Sequence, residues 1–126
     1  MIESVKVSEK GKLQLTTIKK RTRIKNWNTT CRWAFLLSLK DNSVPAIENI
    51  QTDSNVEMTW KTFSGNYDKL YLSLLLQRLN QDKIKITKES VNKYFKIHLH
   101  RGISYLSGTN YKKLNDYLNV INERLI

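Results

Sequence analysis

Apolar residues recur at helical spacing along most of the chain, and this pattern predicts a mainly α fold. Residues 5–7 alternate like a short strand, and Ser8 is placed to cap a helix from about Glu9 to Arg21. The inward face of this helix is predicted to consist of Gly11, Leu15, Ile18 and Thr22. A second helix is predicted over Trp27–Leu39, after a turn at 23–26, so the chain begins in the order strand, helix, turn, helix.

The rest of the chain predicts a polar loop over 41–54, an extended segment over 55–63 and three more helices. The first of these helices covers 67–81, and the next begins after Thr87, its N-cap, and stops at Gly108. The last covers about 110–125 with a near-heptad seam, which favours antiparallel packing or self-association: Tyr111, Leu114, Leu118, Ile121 and Leu125. We expect a single domain over 1–126 with one or two short strands. The helix over 27–39 is apolar nearly all round, which favours a partner subunit.

The positive charge is concentrated in the first third of the chain. The net charge is +11; residues 1–40 hold ten basic and two acidic side chains (+8), and 41–126 hold twelve and nine (+3). Lys12, Thr16, Lys19 and Arg23 repeat at helical spacing, with Lys20 beside them. This asymmetry favours an anionic polymer or surface as partner, against the alternative of a charge that serves only solubility.

The order of the first elements is similar to a ribbon-helix-helix unit, in which a paired strand contacts the DNA groove. Here the strand is short and mixed, so the basic region fits phosphate contacts better than base readout. A sequence-specific transcriptional repressor of the ribbon-helix-helix type remains the alternative. A third hypothesis is an interaction subunit whose basic surface docks on an acidic protein.

No set of catalytic, metal-binding or cofactor-binding residues is recognisable in the sequence. The motifs of nucleotide-binding loops and nucleophile elbows are missing, so we expect no enzyme activity, no cofactor and no metal. Cys31 is interpreted as a buried, inert thiol, His98 as a core histidine, and His100 and Arg101 as outward-facing. Without a signal-peptide pattern or a membrane span, a cytoplasmic protein without membrane contact is expected.

Four segments resemble one known family. They are VSEK at 7–10, WNTTCRWAF at 27–35, DSNVEMTWK at 53–61 and HLHRGISYL at 98–106. Their order and spacing resemble the DndE family, the smallest component of the bacterial DNA phosphorothioation system, over about residues 5–107. That system replaces a non-bridging phosphate oxygen of DNA with sulfur.

The resemblance implies a non-catalytic accessory subunit that binds the duplex backbone, prefers nicked DNA and assembles as a tetramer beside the other phosphorothioation subunits. The expected contacts with DNA phosphates are Lys6, Lys12, Lys19, Lys20, Arg21, Arg23, Lys25 and Arg32. The family pattern has glycine in the turn where this chain has Arg23, because a helix C-terminus often needs a left-handed residue. We therefore expect Arg23 to strain that turn, or to end the helix differently, while adding a charge.

Overall fold

Six helices and a two-stranded sheet make up the computed structural model, which describes residues 1–108 and 111–125 and no side chain beyond residue 119. The strands are β1 (Ser4–Lys6) and β2 (Glu57–Thr59). The helices are α1 (Glu9–Thr22), α2 (Trp27–Lys40), α3 (Trp60–Ser64), α4 (Asp68–Gln81), α5 (Lys88–Leu106) and α6 (Leu114–Leu125). A 3-10 turn over Gly65–Tyr67 joins α3 to α4. The prediction of a mainly α class is confirmed.

The ends and the buried face of α1 follow the sequence pattern. Ser8 caps its start, where the hydroxyl oxygen accepts a hydrogen bond from the Gly11 backbone at 3.0 Å. Glu9 places a negative charge in the first turn, where the helix dipole favours it. The buried residues are the four that the spacing predicts: Gly11, Leu15, Ile18 and Thr22. One face of α1 therefore packs on the core, and its lysines are left on the others.

The helix pair α2 and α5 forms the centre of the fold. Their backbones approach so closely at Gly102 that a Cβ there would lie 1.7 Å from the carbonyl oxygen of Ala34. Phe35 of α2 then meets Phe95 of α5 and Phe63 of α3, with ring centroids 5.1 and 6.0 Å apart. Only glycine permits this approach, and the aromatic cluster fills the space beside it.

The apolar circumference of α2 is only partly covered within the chain, because Trp33, Leu36, Leu37 and Leu39 keep some exposure, so a partner subunit for this helix stays a prediction. Its large apolar side chains all pack against the core, and Trp33 lies 6.4 Å from the ring of Tyr117 in α6. The exposed apolar side chains lie elsewhere. They include Tyr67, just before α4, Leu70 on α4, and Leu114 and Leu118 on α6.

The two strands pair within the chain, antiparallel and with Val5 opposite Met58. Val5 and Val7 are buried, so one side of β1 belongs to the core. The predicted strand–helix–turn–helix order is thus present. However, β1 takes its partner from a segment 51 to 55 residues further along the same chain, whereas the ribbon of a ribbon-helix-helix protein is shared between two subunits.

Two segments differ from the predicted elements. The extended segment predicted over 55–63 is wrong in its second half, because Thr59 caps α3 by accepting a hydrogen bond from the Thr62 backbone at 3.1 Å. The last helix begins at Leu114, so its predicted start near Asn110 is wrong, because residues 111–113 are not helical; the side chains of Ile121 and Leu125 in its seam lie outside the described residues. By contrast, Thr87 caps α5 as predicted. In the described part of the chain, every helix is too short or too polar to cross a membrane.

Candidate nucleic-acid interface

Besides Arg21, four of the eight predicted contact residues lie at the end of α1 and in the turn before α2, and a fifth, Lys12, lies about two helical turns earlier on α1. Lys20, Arg23 and Lys25 are exposed, and Lys12 and Lys19 are half-buried on the same stretch. We name this set, Lys12, Lys19, Lys20, Arg23 and Lys25, the basic corner. Glu9 is the first residue of α1, and the sequence holds no acidic residue between it and Asp41, so the rest of α1, the turn and α2 supply no acid that could neutralise this set.

Arg23 ends α1 in the left-handed conformation, with φ 62° and ψ 14°. Its backbone N–H donates to the carbonyl oxygen of Lys19 at 2.7 Å and so closes the last turn of the helix. The expectation that this position requires a left-handed residue is confirmed. The chain accepts the strain of a residue with a Cβ at a site suited to glycine, and Arg23 is exposed there.

Lys19 is held in place by the first residue of α2. Its ammonium group lies 5.1 Å from the ring centroid of Trp27, within the range of a cation–π interaction. Trp27 itself is half-buried and packs against the core. The ring of Trp27 therefore packs partly against the core and also orients Lys19 of the basic corner.

Arg21 lies in the same turn but bonds to the protein. Its Nη1 donates to the carbonyl oxygens of Ser107, Gly108 and Tyr111 at 3.1, 2.9 and 2.6 Å. The sequence places Arg21 among the phosphate contacts, whereas the structure uses its fork to hold the end of α5 and the segment before α6. Nothing in the local sequence distinguishes it from Lys20, because its three acceptors lie more than eighty residues away.

Lys6 and Arg32 are not part of the basic corner. Lys6 stands opposite Glu57 in the sheet register, and its Nζ lies 3.8 Å from a carboxylate oxygen of that residue. Arg32 lies close enough to Tyr71 of α4 to lower the pKa of its hydroxyl, although burial, the larger effect, raises it. The Nε of Arg32 is buried without a hydrogen-bond partner among the described residues. These two cations therefore face the sheet and α4.

Sequence reasoning missed Lys112 and Lys113. Both are exposed and directly follow Tyr111, whose carbonyl oxygen is held by Arg21. Their backbone N–H groups donate to Oδ2 of Asp116 at 2.9 and 3.2 Å, which also lowers the pKa of that carboxyl. The only signal in the sequence was a pair of adjacent lysines.

A polar network joins α2 to α5 beside the core. His98 is fully buried, as predicted, and its Nδ1 lies 2.8 Å from Oγ of Ser38. Arg101 donates to Ser38 Oγ and to the carbonyl oxygens of Ser38 and Ser43. Burial, with the nearby Arg78 and Arg101 charges, lowers the pKa of His98 to about 4. The interpretation of Arg101 as outward-facing is wrong, because five acceptors on α2 and the following loop draw its guanidinium inward.

His100 also faces the protein instead of solvent. Its Nδ1 meets the carbonyl oxygen of Lys96 at 2.8 Å and must donate there, so Nε2 accepts the backbone N–H of Ser8 at 3.1 Å. This bond joins the start of α1 to α5, and burial lowers the pKa of His100. The histidine is thus neutral and structural, and its predicted exposure is wrong.

The described residues also include a cavity and a buried thiol. A cavity of about 710 Å³ lies between the start of α1, the loop after α2 and α5, and its lining includes His100 and Arg101, whose polar groups already have partners. Burial raises the pKa of Cys31 to about 12, so the thiol stays protonated. Across 1–108 and the described side chains of 111–119, no three His, Cys, Asp or Glu residues are grouped to hold a metal ion.

Fold and site together define a small helical protein with one unneutralised basic surface. The sequence profile of the family described as DNA sulphur modification protein DndE matches residues 4–114, so the chain belongs to the DndE family. Membership gives it a role in DNA phosphorothioation. A search of curated proteins gives no significant match.

Two solved structures share the fold. DndE from Escherichia coli B7A, involved in DNA phosphorothioation modification, is 21% identical with a TM-score of 0.69, over 84% of this chain and 98% of that one. A glycine-to-lysine mutant of DndE is 19% identical with a TM-score of 0.65, over 84% of this chain and 97% of that one. At these identities the likeness concerns the fold alone.

Proposed function

We propose that this chain is a non-catalytic accessory subunit of DNA phosphorothioation that binds the backbone of duplex DNA through the basic corner. The observation that carries the proposal is that the cations of the basic corner have no acidic partners among the described residues. Within the described chain, the side chains of Lys12, Lys20, Arg23 and Lys25 form no hydrogen bond and no ion pair. Free cations on a folded surface match an anionic polymer, because each can neutralise one phosphate and release its counterion.

The arrangement favours contacts with the backbone over base readout. The basic corner extends along α1 into the turn that follows it, and its cations are mostly lysines, which act as point charges. The exposed side of β1 offers Ser4 and Lys6, and Lys6 is paired with Glu57. Nick preference, tetrameric assembly and contact with the other phosphorothioation subunits belong to this proposal through the family resemblance. The exposed apolar side chains of α4 and α6 are available for such assembly.

Binding of a duplex of about 30 base pairs, followed by fluorescence anisotropy over a salt series, tests the proposal. The double variant K20Q/K25Q should reduce the slope of log affinity against log salt by about 1.8, since each phosphate contact contributes about 0.9. The matched control is K85Q/K88Q, which removes the same charge near the start of α5. The control lies away from the basic corner, because Arg21 of α1 bonds to the opposite end of α5. This control should bind like the unaltered chain.

Three outcomes would contradict the proposal in different ways. Absence of binding at ~50 mM salt, or binding indifferent to salt, would exclude a phosphate-contacting mechanism. A preference of ~10³-fold for one operator over random DNA would favour the ribbon-helix-helix repressor. If K20Q/K25Q prevented assembly with the other subunits while free DNA was never bound, the basic corner would instead be a docking surface for an acidic protein. Comparison of nicked with intact duplex in the same series tests the nick preference.

A further inference from the structure

The guanidinium of Arg21 connects three parts of the chain at one point. It projects from the last turn of α1, and a single nitrogen, Nη1, donates to carbonyls at the end of α5 and at Tyr111. No acidic group lies within ion-pair distance of it in the described residues. Arg21 therefore holds the segment before α6 against the end of α1 without losing its positive charge to an acid.

The segment held in this way carries two further free cations. Lys112 and Lys113 follow Tyr111 directly, both are exposed, and within the described chain their side chains have no hydrogen bond or ion pair. Their backbone is fixed from the other side, because Asp116 accepts both N–H groups. The segment is thus anchored at Tyr111 by Arg21 and at the two lysines by the first turn of α6.

The start of α6 is also anchored to the core. Tyr117 is buried, its hydroxyl donates to the carbonyl oxygen of Leu106 at 3.0 Å, and its ring lies 5.2 Å from Tyr111. The position of the two lysines therefore depends on a rigid support, and Arg21, two residues before Arg23, fixes that support beside the basic corner.

We propose that Lys112 and Lys113 are a second part of the DNA-binding surface, and that Arg21 is the positioning residue that holds them beside the basic corner instead of contacting DNA itself. The inference rests on the proposed function. It assigns DNA contacts to a part of the chain that sequence reasoning left without a role. It is also consistent with arginine at position 21, because a guanidinium is more weakly hydrated than an ammonium and is better suited to carbonyl groups away from solvent.

The charge-conserving variant Arg21→Lys separates positioning from direct contact. A lysine keeps the charge, but its side chain is shorter and its ammonium group more flexible and more strongly hydrated, so it should hold the three carbonyls less well. K112Q/K113Q should lower the salt slope by about 1.8, which corresponds to an about tenfold smaller loss of affinity between ~50 and ~200 mM salt. R21K should lower the slope by a similar amount, and adding R21K to K112Q/K113Q should cause no further loss.

Arg101→Lys is the matched control for structural damage. Arg101 also holds backbone carbonyls, but its acceptor Ser38 lies toward the far end of α2, about 18 Å along the helix from the basic corner. R101K should destabilise the fold in urea like R21K and leave the salt slope unchanged. If R21K fails to fold, the exposed pair K112Q/K113Q still decides the question.

The possible results are distinguishable from failure of the proposed function. If K20Q/K25Q weakens binding while K112Q/K113Q binds like the unaltered chain, the second part of the surface is refuted and the basic corner stands. If R21K binds like the unaltered chain while K112Q/K113Q weakens binding, the positioning role is refuted. If none of these variants changes the salt slope, the proposed function itself fails.

Discussion

Replacement of Arg23 by glycine should make the protein more stable and a weaker DNA binder at the same time. Arg23 has φ 62°, in the left-handed region that costs a residue with a Cβ about 1–2 kcal/mol. Glycine removes that cost but gains about 0.5–1 kcal/mol of chain entropy in the unfolded state. The net expectation is a rise of about 0.5–1 kcal/mol in the free energy of unfolding.

The loss of binding is worked from the same residue. The guanidinium of Arg23 is exposed and unpaired within the described chain, so its removal costs one phosphate contact and lowers the salt slope by about 0.9. Urea denaturation measures the first effect, and anisotropy with a duplex over a salt series measures the second. The two effects have opposite consequences for the protein, so general damage to the fold cannot produce both.

Lys83 provides the control for Arg23. It is exposed, lies just after α4 and has φ 59°, the other positive value among non-glycine residues in the described chain. K83G removes the same charge and relieves the same strain away from the basic corner. K83G should raise the free energy of unfolding by a similar amount and leave the slope of log affinity against log salt unchanged. The reasoning is refuted if R23G and K83G lower the slope equally, or if R23G is destabilising.

Three further predictions concern the core. His98→Asn should make the protein less sensitive to acid. The folded pKa of His98, about 4, lies below the unfolded value near 6.5, so its neutral form stabilises the fold fully above pH ~6.5. About 3 kcal/mol of the free energy of unfolding is then lost as the pH falls to ~4. Urea titrations across that range should show a flatter pH profile, and an unchanged profile would contradict the assignment. Gly102→Ala should destabilise by about 3 kcal/mol or cause misfolding, because its Cβ would meet the Ala34 carbonyl; near-neutral stability would contradict the packing. Cys31 should resist thiol reagents at pH ~8 until the chain unfolds, and rapid modification of folded protein would show that it is accessible.

Local regularities made much of the fold predictable. The buried face of α1 follows a 3.6-residue period, and the caps at Ser8 and Thr87 are properties of a few adjacent residues. The left-handed end of α1 was predictable for the same reason, since it concerns one turn around Arg23. Where the deciding interaction is short-range, the sequence is sufficient to place the element.

Long-range hydrogen bonds explain most of the failures at the candidate site. Arg21 is adjacent to Lys20 and is not distinguished from it by the local sequence, but Arg21, like Arg101, bonds to carbonyls 58 to 90 residues away. The pairing of Lys6 with Glu57 depends on a strand register that only the folded chain defines. The partial cover of α2 within the chain was underestimated because α3, α5 and α6 contact it from three separate parts of the sequence.

Arginines and lysines have different roles in this fold: several arginines hold backbone carbonyls, whereas most cations of the basic corner are lysines. Three arginines are taken up by backbone carbonyls, and two of them have a carboxylate within 4 Å: Arg78 pairs with Asp82, and Arg101 with Asp41. Arg21 is the third, and it has no such acid among the described residues. Its charge therefore adds to the field of the basic corner even though its hydrogen bonds belong to the fold. An acidic partner would reduce the positive charge of the proposed interface, so the proposed function predicts that Arg21 has none, in agreement with the described residues.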